Sequence, residues 1–291
     1  MLKRIISAAI GIALFVTVLL VSDEFNYFFN GIISIMAIIS VWEIFHATKY
    51  IENKALLIVS MLFAASVPFF RMPYFNMTSK AACFIYVVVL FAVMILDRKR
   101  VKIEQIGLVF MLCTLIPFAF STLIYVRDMG FRYQYGMSRR DGVFLLLLCC
   151  AGAWIADTGG YFAGRFFGKH KLAPAISPKK TVEGFIGGIV LNIVGIMGAG
   201  LIYETWFSGG DIKINYVLLG IIGAVTAVMG TLGDLSASFI KRSCDVKDFG
   251  NIMPGHGGVL DRFDSVMLVA PTVYLFVEVF QPSLWPLIVR G

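Results

Sequence analysis

YVLLGIIGAVTAVMGTLGDLSASF runs from Tyr216 to Phe239 with a single charged residue, Asp234. A helix of roughly 20 residues crosses a hydrocarbon core of about 30 Å, and this stretch is long enough to do so. It shows none of the apolar and polar alternation of a barrel strand. Because lipid leaves no water to satisfy backbone polar groups, only helices or closed barrels span a membrane, so the stretch reads as a transmembrane helix. Working outward in both directions, runs of the same kind recur at 5–22, 27–46, 55–71, 81–96, 106–126, 143–163, 184–203 and 265–288. The expected fold is therefore all-α, a polytopic membrane bundle of about nine transmembrane helices. The links are short. We divide the chain into N-terminal scaffold helices over 1–140 and a C-terminal polar-motif region over 141–291.

Composition agrees. The 291 residues are 59% hydrophobic and 15% charged, against about 25% charged in an ordinary soluble domain. The first run follows Lys3 and Arg4, is too long for a secretory h-region and shows no small-residue cleavage pattern, which predicts an uncleaved anchor. The five cysteines, Cys83, Cys113, Cys149, Cys150 and Cys244, lack metal-site spacing and are read as packing residues. Most of the 25 lysines and arginines fall at the N-terminus and in the loops after the second, fourth, sixth and eighth runs. The positive-inside tendency then places those loops in the cytoplasm, against the dissent of Arg127, Arg132, Arg139 and Arg140. The net charge of +7 suits anionic lipid or a polyanionic substrate and calls for no nucleic acid.

The polar chemistry sits in two of these loops. SASFIKRSCDVKDFGNIMPGHGGVLDRFD, Ser236 to Asp264, follows Gly233 and Asp234. Asp234, Ser238 and Lys241 are spaced i, i+4 and i+7, so they share one helix face, with Asp234 roughly 10 Å deeper than Lys241. A carboxylate at that depth needs a partner charge. Asp261 and Asp264, three apart, are expected on one face at the start of the ninth helix, where the dipole favours anions. Carboxylates of this kind are hard-oxygen ligands suited to Mg²⁺ in the company of phosphate. Gly255, His256, Gly257 and Gly258 form a loop able to bring backbone amides against a phosphate, and His256 is a candidate donor to it.

In the other loop, SPKKTVEG (Ser177 to Gly184) reads as the opening of the seventh helix, with Ser177 as N-cap and Pro178 at the first helical position. Lys179 and Lys180 would then stand at the positive end of a helix dipole, a conflict that a bound phosphate resolves and a plain positive-inside flank does not require. WIADTGGYFAGRFFGKHK, Trp154 to Lys171, closes the sixth helix with Asp157, Tyr161 and Gly164 on one face. An acid within a span is a functional candidate. Glu43 and Glu278 lie within or near spans without polar neighbours in sequence and read as bundle-interior or interfacial acids.

The run from Ser236 to Asp264 resembles the signature of phosphatidate cytidylyltransferases. Its fixed members stand here as Ser238, Lys241 and Arg242, Lys247 and Asp248, Pro254, His256 to Gly258, Asp261 and Arg262, and Asp264. Gly233 and Asp234, the SPKKTVEG stretch and the ADTGGYFAGRFFGKHK stretch resemble that family's other blocks. The likeness covers the C-terminal half. It implies a reaction of CTP with phosphatidic acid giving CDP-diacylglycerol and pyrophosphate, in an α-helical homodimer; the distribution of basic residues then puts the active site on the cytoplasmic face of the cell's inner membrane. It also implies catalytic roles for Asp234, Lys241, His256, Asp261 and Asp264. Mg²⁺ would be held by Asp234 and Asp261, with a monovalent cation such as K⁺ beside it. Substrate contacts would fall to Asp157, Ser177, Lys179, Lys180, Thr181, Glu183, Ser238, Arg242, Lys247, Asp248, Gly257, Gly258 and Arg262.

The residues suit that chemistry. A lipid phosphate is already an anionic nucleophile, so the barrier is its repulsion from the triphosphate, and charge neutralisation with in-line positioning is what the protein must supply. A transporter would carry polar residues to both faces, whereas here they crowd one. A CDP-alcohol phosphotransferase would need a paired acidic motif with AspGly and AlaArg spacing, which is absent from the sequence.

Overall fold

The computed structural model describes residues 26–49, 53–71, 79–97, 102–131, 136–207, 212–252, 257–281 and 286–290. The predicted first helix, 5–22, lies outside them. The other eight predicted helices all appear. They are α1 (Asn26–Ala47), α2 (Lys54–Ser66), α3 (Ser79–Leu96), α4 (Ile103–Asp128), α5 (Arg139–Phe167), α6 (Val182–Ile202), α7 (Tyr216–Ser243) and α9 (Val266–Phe280); a four-residue helix not among those predicted, α8 (Leu260–Phe263), precedes the last. Among the described residues, α1, α3, α4, α5, α6 and α7 are long and apolar enough to cross a membrane, while α2 with its 3₁₀ extension and α9 are shorter.

The last predicted helix, 265–288, starts where expected but is too long at its C-terminal end. Asp264 and Ser265 break the chain between α8 and α9, and the helix stops at Phe280. The remaining residues include strand β4 (Ile288–Arg290), which pairs antiparallel with β3 (Ile212–Ile214). The Gln281 side chain donates to the Ile288 carbonyl at 2.7 Å and accepts from its N–H at 3.1 Å. A second hairpin, β1 (Lys171–Ala173) with β2 (Ser177–Thr181), precedes α6.

The chain forms two compact units, Met1–Ile124 with Ser243–Phe263, and Tyr125–Arg242 with Asp264–Gly291. In the first, α1 packs on α2 and α2 on α3. Apolar surface alone does not distinguish one helix contact from another in lipid, so polar bonds and ring stacking fix the pairs. Asn30 donates to the Pro68 carbonyl at 2.9 Å, Ser60 and Tyr86 hydroxyls lie 2.8 Å apart, and the Phe63 and Tyr86 rings stack at 4.1 Å. Phe120 of α4 meets Phe263 of α8 edge to face.

In the second unit, α5 and α6 run against each other over most of their length. Glycines permit this: a methyl added at Gly184 would come 2.7 Å from the Gly160 carbonyl, and one at Gly188 2.8 Å from that of Ala156. Small residues are the usual means by which membrane helices approach closely. Asn192, fully buried on α6, donates to Gly223 O at 2.7 Å and Thr226 Oγ1 at 3.0 Å of α7. α9 packs against α5.

Candidate active site

In the second unit the end of α7, the strand β2 and the start of α9 bring acids and lysines together. Ser238 Oγ donates to Asp234 Oδ1 at 3.3 Å, as the i, i+4 spacing predicts. The partner charge that Asp234 needs is Lys180, whose Nζ lies 2.5 Å from Oδ2, both side chains being about a quarter exposed. Lys241, one face-turn further along, reaches Asp264 at 4.0 Å. Asp264 is buried and accepts the Ser265 N–H at 2.8 Å. The Ser265 hydroxyl in turn donates to Asp157 Oδ2 at 3.0 Å. Burial, reinforced by the neighbouring charge of Asp234, pushes the Asp264 carboxyl up to about 7, against the opposing pull of Lys241.

The SPKKTVEG stretch is placed differently from the sequence expectation. Ser177 and Pro178 do not open a helix; Ser177 to Thr181 form β2, and the helix starts at Val182. Thr181 is the N-cap, its side chain accepting the Gly184 N–H at 3.1 Å. Ser-Pro satisfies a helix start locally, but pairing with β1 draws these residues into an extended hairpin instead. The two lysines therefore do not oppose a helix dipole. Successive strand residues point to opposite sides, so Lys180 turns to Asp234 while Lys179 is exposed. Glu183, in the first turn of α6, accepts the N–H groups of Lys169 at 3.0 Å and His170 at 3.2 Å, and its Oε1 lies 2.6 Å from His170 Nδ1. It anchors the hairpin's entry.

In the first unit Asp261 is buried on α8. Its Oδ2 accepts from the Phe249 N–H at 2.8 Å and the Gly258 N–H at 3.0 Å. Gly257 has φ +87°, and a methyl there would press to 3.0 Å from the same oxygen. This left-handed backbone is one that only glycine adopts without strain. Asp261 and Asp264 do not share one helix face, since α8 ends between them. Lys247, Asp248 and Arg262 are exposed in this unit, and Arg242 is exposed at the end of α7. His256 lies outside the described residues. Among the described residues, no three His, Cys, Asp or Glu side chains converge to hold a metal ion.

Glu43 is the residue that sequence reasoning undervalued. It is 0% exposed on α1, and its two carboxylate oxygens accept the N–H groups of Val259 at 2.8 Å and Leu260 at 2.9 Å. Its polar neighbours come from a loop far along the chain.

The model of the cytidylyltransferase family matches residues 2–280. The chain belongs to the cytidylyltransferase family. Among relatives, the phosphatidate cytidylyltransferase of Bacillus subtilis (strain 168) is 37% identical over 195 residues, 67% of this chain and 66% of that protein. The phosphatidate cytidylyltransferase of Staphylococcus haemolyticus (strain JCSC1435) is 42% identical over 160 residues, 55% of this chain and 58% of that protein. That of Staphylococcus aureus (strain COL) is 41% identical over 161 residues. The matched stretch thus spans 66% and 58% of the first two relatives' own lengths, less than two thirds.

Proposed function

We propose that this cytidylyltransferase-family chain makes CDP-diacylglycerol from CTP and phosphatidic acid. A phosphate oxygen of phosphatidic acid attacks the α-phosphorus of CTP, the bond from that phosphorus to the bridging oxygen of the β-phosphate breaks, and pyrophosphate leaves. The observation that supports this reading is the cluster of Asp157, Lys180, Asp234, Ser238, Lys241 and Asp264, carried next to helices long enough to cross a membrane. The relatives' shared name points to the same substrates.

The lipid phosphate is anionic at neutral pH, so no protein base is required, and the diacylglycerol tails can remain in lipid. Lys180 and Lys241 are cations already held beside carboxylates, positioned so that incoming phosphate oxygens compete for them. Lys179, exposed on β2, is free to meet phosphate from solvent. The carboxylates offered to Mg²⁺ are Asp234 and Asp261. Each has the hard oxygens that Mg²⁺ prefers, and the ion takes one or two protein carboxylates alongside substrate phosphates and water, so this reading calls for no three-acid cluster. When bound, the ion neutralises triphosphate charge and stabilises the departing pyrophosphate. We extend the reading to a monovalent cation such as K⁺ beside it, to a homodimer, and to catalytic loops facing the cytoplasm, where CTP is found.

The test is purification in detergent and incubation with labelled CTP, phosphatidic acid and Mg²⁺, with and without K⁺. CDP-diacylglycerol and pyrophosphate in equal amounts are expected. No product across broad Mg²⁺, K⁺ and lipid concentrations overturns the reading.

A further inference from the structure

Glu43 lies fully buried on a helix long and apolar enough to cross a membrane. Burying a carboxylate there carries a high desolvation cost, met here by backbone donors from a segment 216 residues away. The two donors, the N–H groups of Val259 and Leu260, are adjacent, and each takes a separate oxygen. Only a carboxylate can accept with both ends. A glutamine in the same place would turn its amide N–H₂ towards one of the two donors.

The surroundings are shaped for this group. A methyl on Gly258 would collide with the Glu43 carboxylate, and one on Gly250 would come 2.7 Å from its Oε1. Asp261 grips the same loop from within, through the Phe249 and Gly258 N–H groups. Gly258, Val259 and Leu260 are thus held by two carboxylates, and the backbone between them sets the direction of the Asp261 side chain.

We infer that Glu43 is a positioning residue for the transfer reaction: it fixes the Gly257–Asp261 backbone and through it the Asp261 carboxylate. The inference rests on the function proposed above, but its physical core is separable from activity. In the full chain in detergent, Glu43→Gln and Glu43→Asp are compared with wild type by hydrogen exchange of peptides covering 257–261, by thermal unfolding and by steady-state kinetics. Ser60→Ala, which loses the Tyr86 contact elsewhere in the unit, is the control for a purely structural loss.

The expected result is exchange at 257–261 at least about tenfold faster in Glu43→Gln, corresponding to one lost charge-assisted bond. Exchange in α1 and α2 should be unchanged, kcat at least about tenfold lower, and KM for CTP within about threefold. Glu43→Asp, which keeps a two-oxygen acceptor, should recover part of both losses. A Gly258→Ala change should cost less in the Glu43→Asp background than in wild type, because the shorter acid vacates the space. Unchanged exchange at 257–261, or a uniform rise across the unit that Ser60→Ala reproduces together with the kcat loss, overturns the inference. Should wild type make no CDP-diacylglycerol, the proposed function fails, while the exchange data still decide whether Glu43 holds the loop.

Discussion

Replacing Lys180 by Gln, with Lys179→Gln as its companion, separates two residues that are neighbours in sequence and opposite in setting. Lys180 Nζ lies 2.5 Å from Asp234 Oδ2, and each side chain is about a quarter exposed. Unit charges at that separation attract by about 7 kcal/mol at an effective dielectric of about 20 and by about 1.7 kcal/mol in bulk water. Much of the larger figure is offset by desolvation. Exposed pairs contribute about 0.2–1 kcal/mol, and breaking fully buried ones costs about 3–5 kcal/mol. A pair one quarter exposed lies between, so we expect Lys180→Gln to cost about 2 kcal/mol of stability. Lys179, exposed on the other side of the strand, should cost under about 0.5 kcal/mol. The assay is unfolding in mixed micelles titrated with SDS, read by circular dichroism, extended to a double-mutant cycle with Asp234→Asn. The cycle should give about 1.5 kcal/mol of coupling in favour of the pair. Equal costs for the two lysines together with coupling near zero would refute the geometry on which the argument depends.

Asp261→Asn keeps an oxygen for the Phe249 and Gly258 N–H groups but removes the charge, so the protein should fold and insert while kcat falls by at least about a hundredfold at every Mg²⁺ concentration; wild-type turnover would exclude Asp261 as a ligand. Asp264 is pushed from 3.8 up to about 7, so the folded state binds its proton more tightly than the unfolded one. The stability this confers is complete below about pH 4 and is lost as pH rises through about 7. Across pH 4 to 8 Asp264→Asn should therefore lose less stability than wild type, and parallel melting-temperature curves would contradict the shift. Gly184→Leu should separate α5 from α6 and cost at least about 2 kcal/mol, read in the same SDS titration, because its Cβ would sit 2.7 Å from a backbone carbonyl that cannot rotate away. Cysteines introduced as Lys171→Cys and Asn251→Cys, in a background lacking the native five, should resist an impermeant reagent added outside intact cells; labelling there would reverse the assigned topology.

What was legible in the sequence was whatever local physics decides. Eight described helices fall close to the predicted runs because about 20 apolar residues in lipid have few alternatives to a helix. The Asp234, Ser238 and Lys241 face follows from period 3.6 alone, and the need of Asp234 for a cation follows from its depth. Which cation it takes is another matter. Lys180 reaches Asp234 because β2 pairs with β1, and no rule applied to Ser177 and Pro178 distinguishes a helix start from a strand that a distant partner completes. The division of Asp261 from Asp264 turns on a helix break that spacing of three does not reveal. Glu43 looked solitary because its partners, Val259 and Leu260, are backbone groups, and backbone groups carry no mark in a sequence.

The two short helices bear on the lipid as much as on the protein. At about 1.5 Å per residue, the 15 residues of α9 reach about 22 Å, some 8 Å less than an average hydrocarbon core. A helix of that length that crosses a bilayer meets hydrophobic mismatch, which the bilayer relieves by thinning around it at a cost that grows with every ångström. Acyl-chain length in the host membrane is thereby a thermodynamic variable of the protein itself. Vesicles of shorter-chain lipids should hold it with less strain than thick, saturated ones, whatever headgroups they carry.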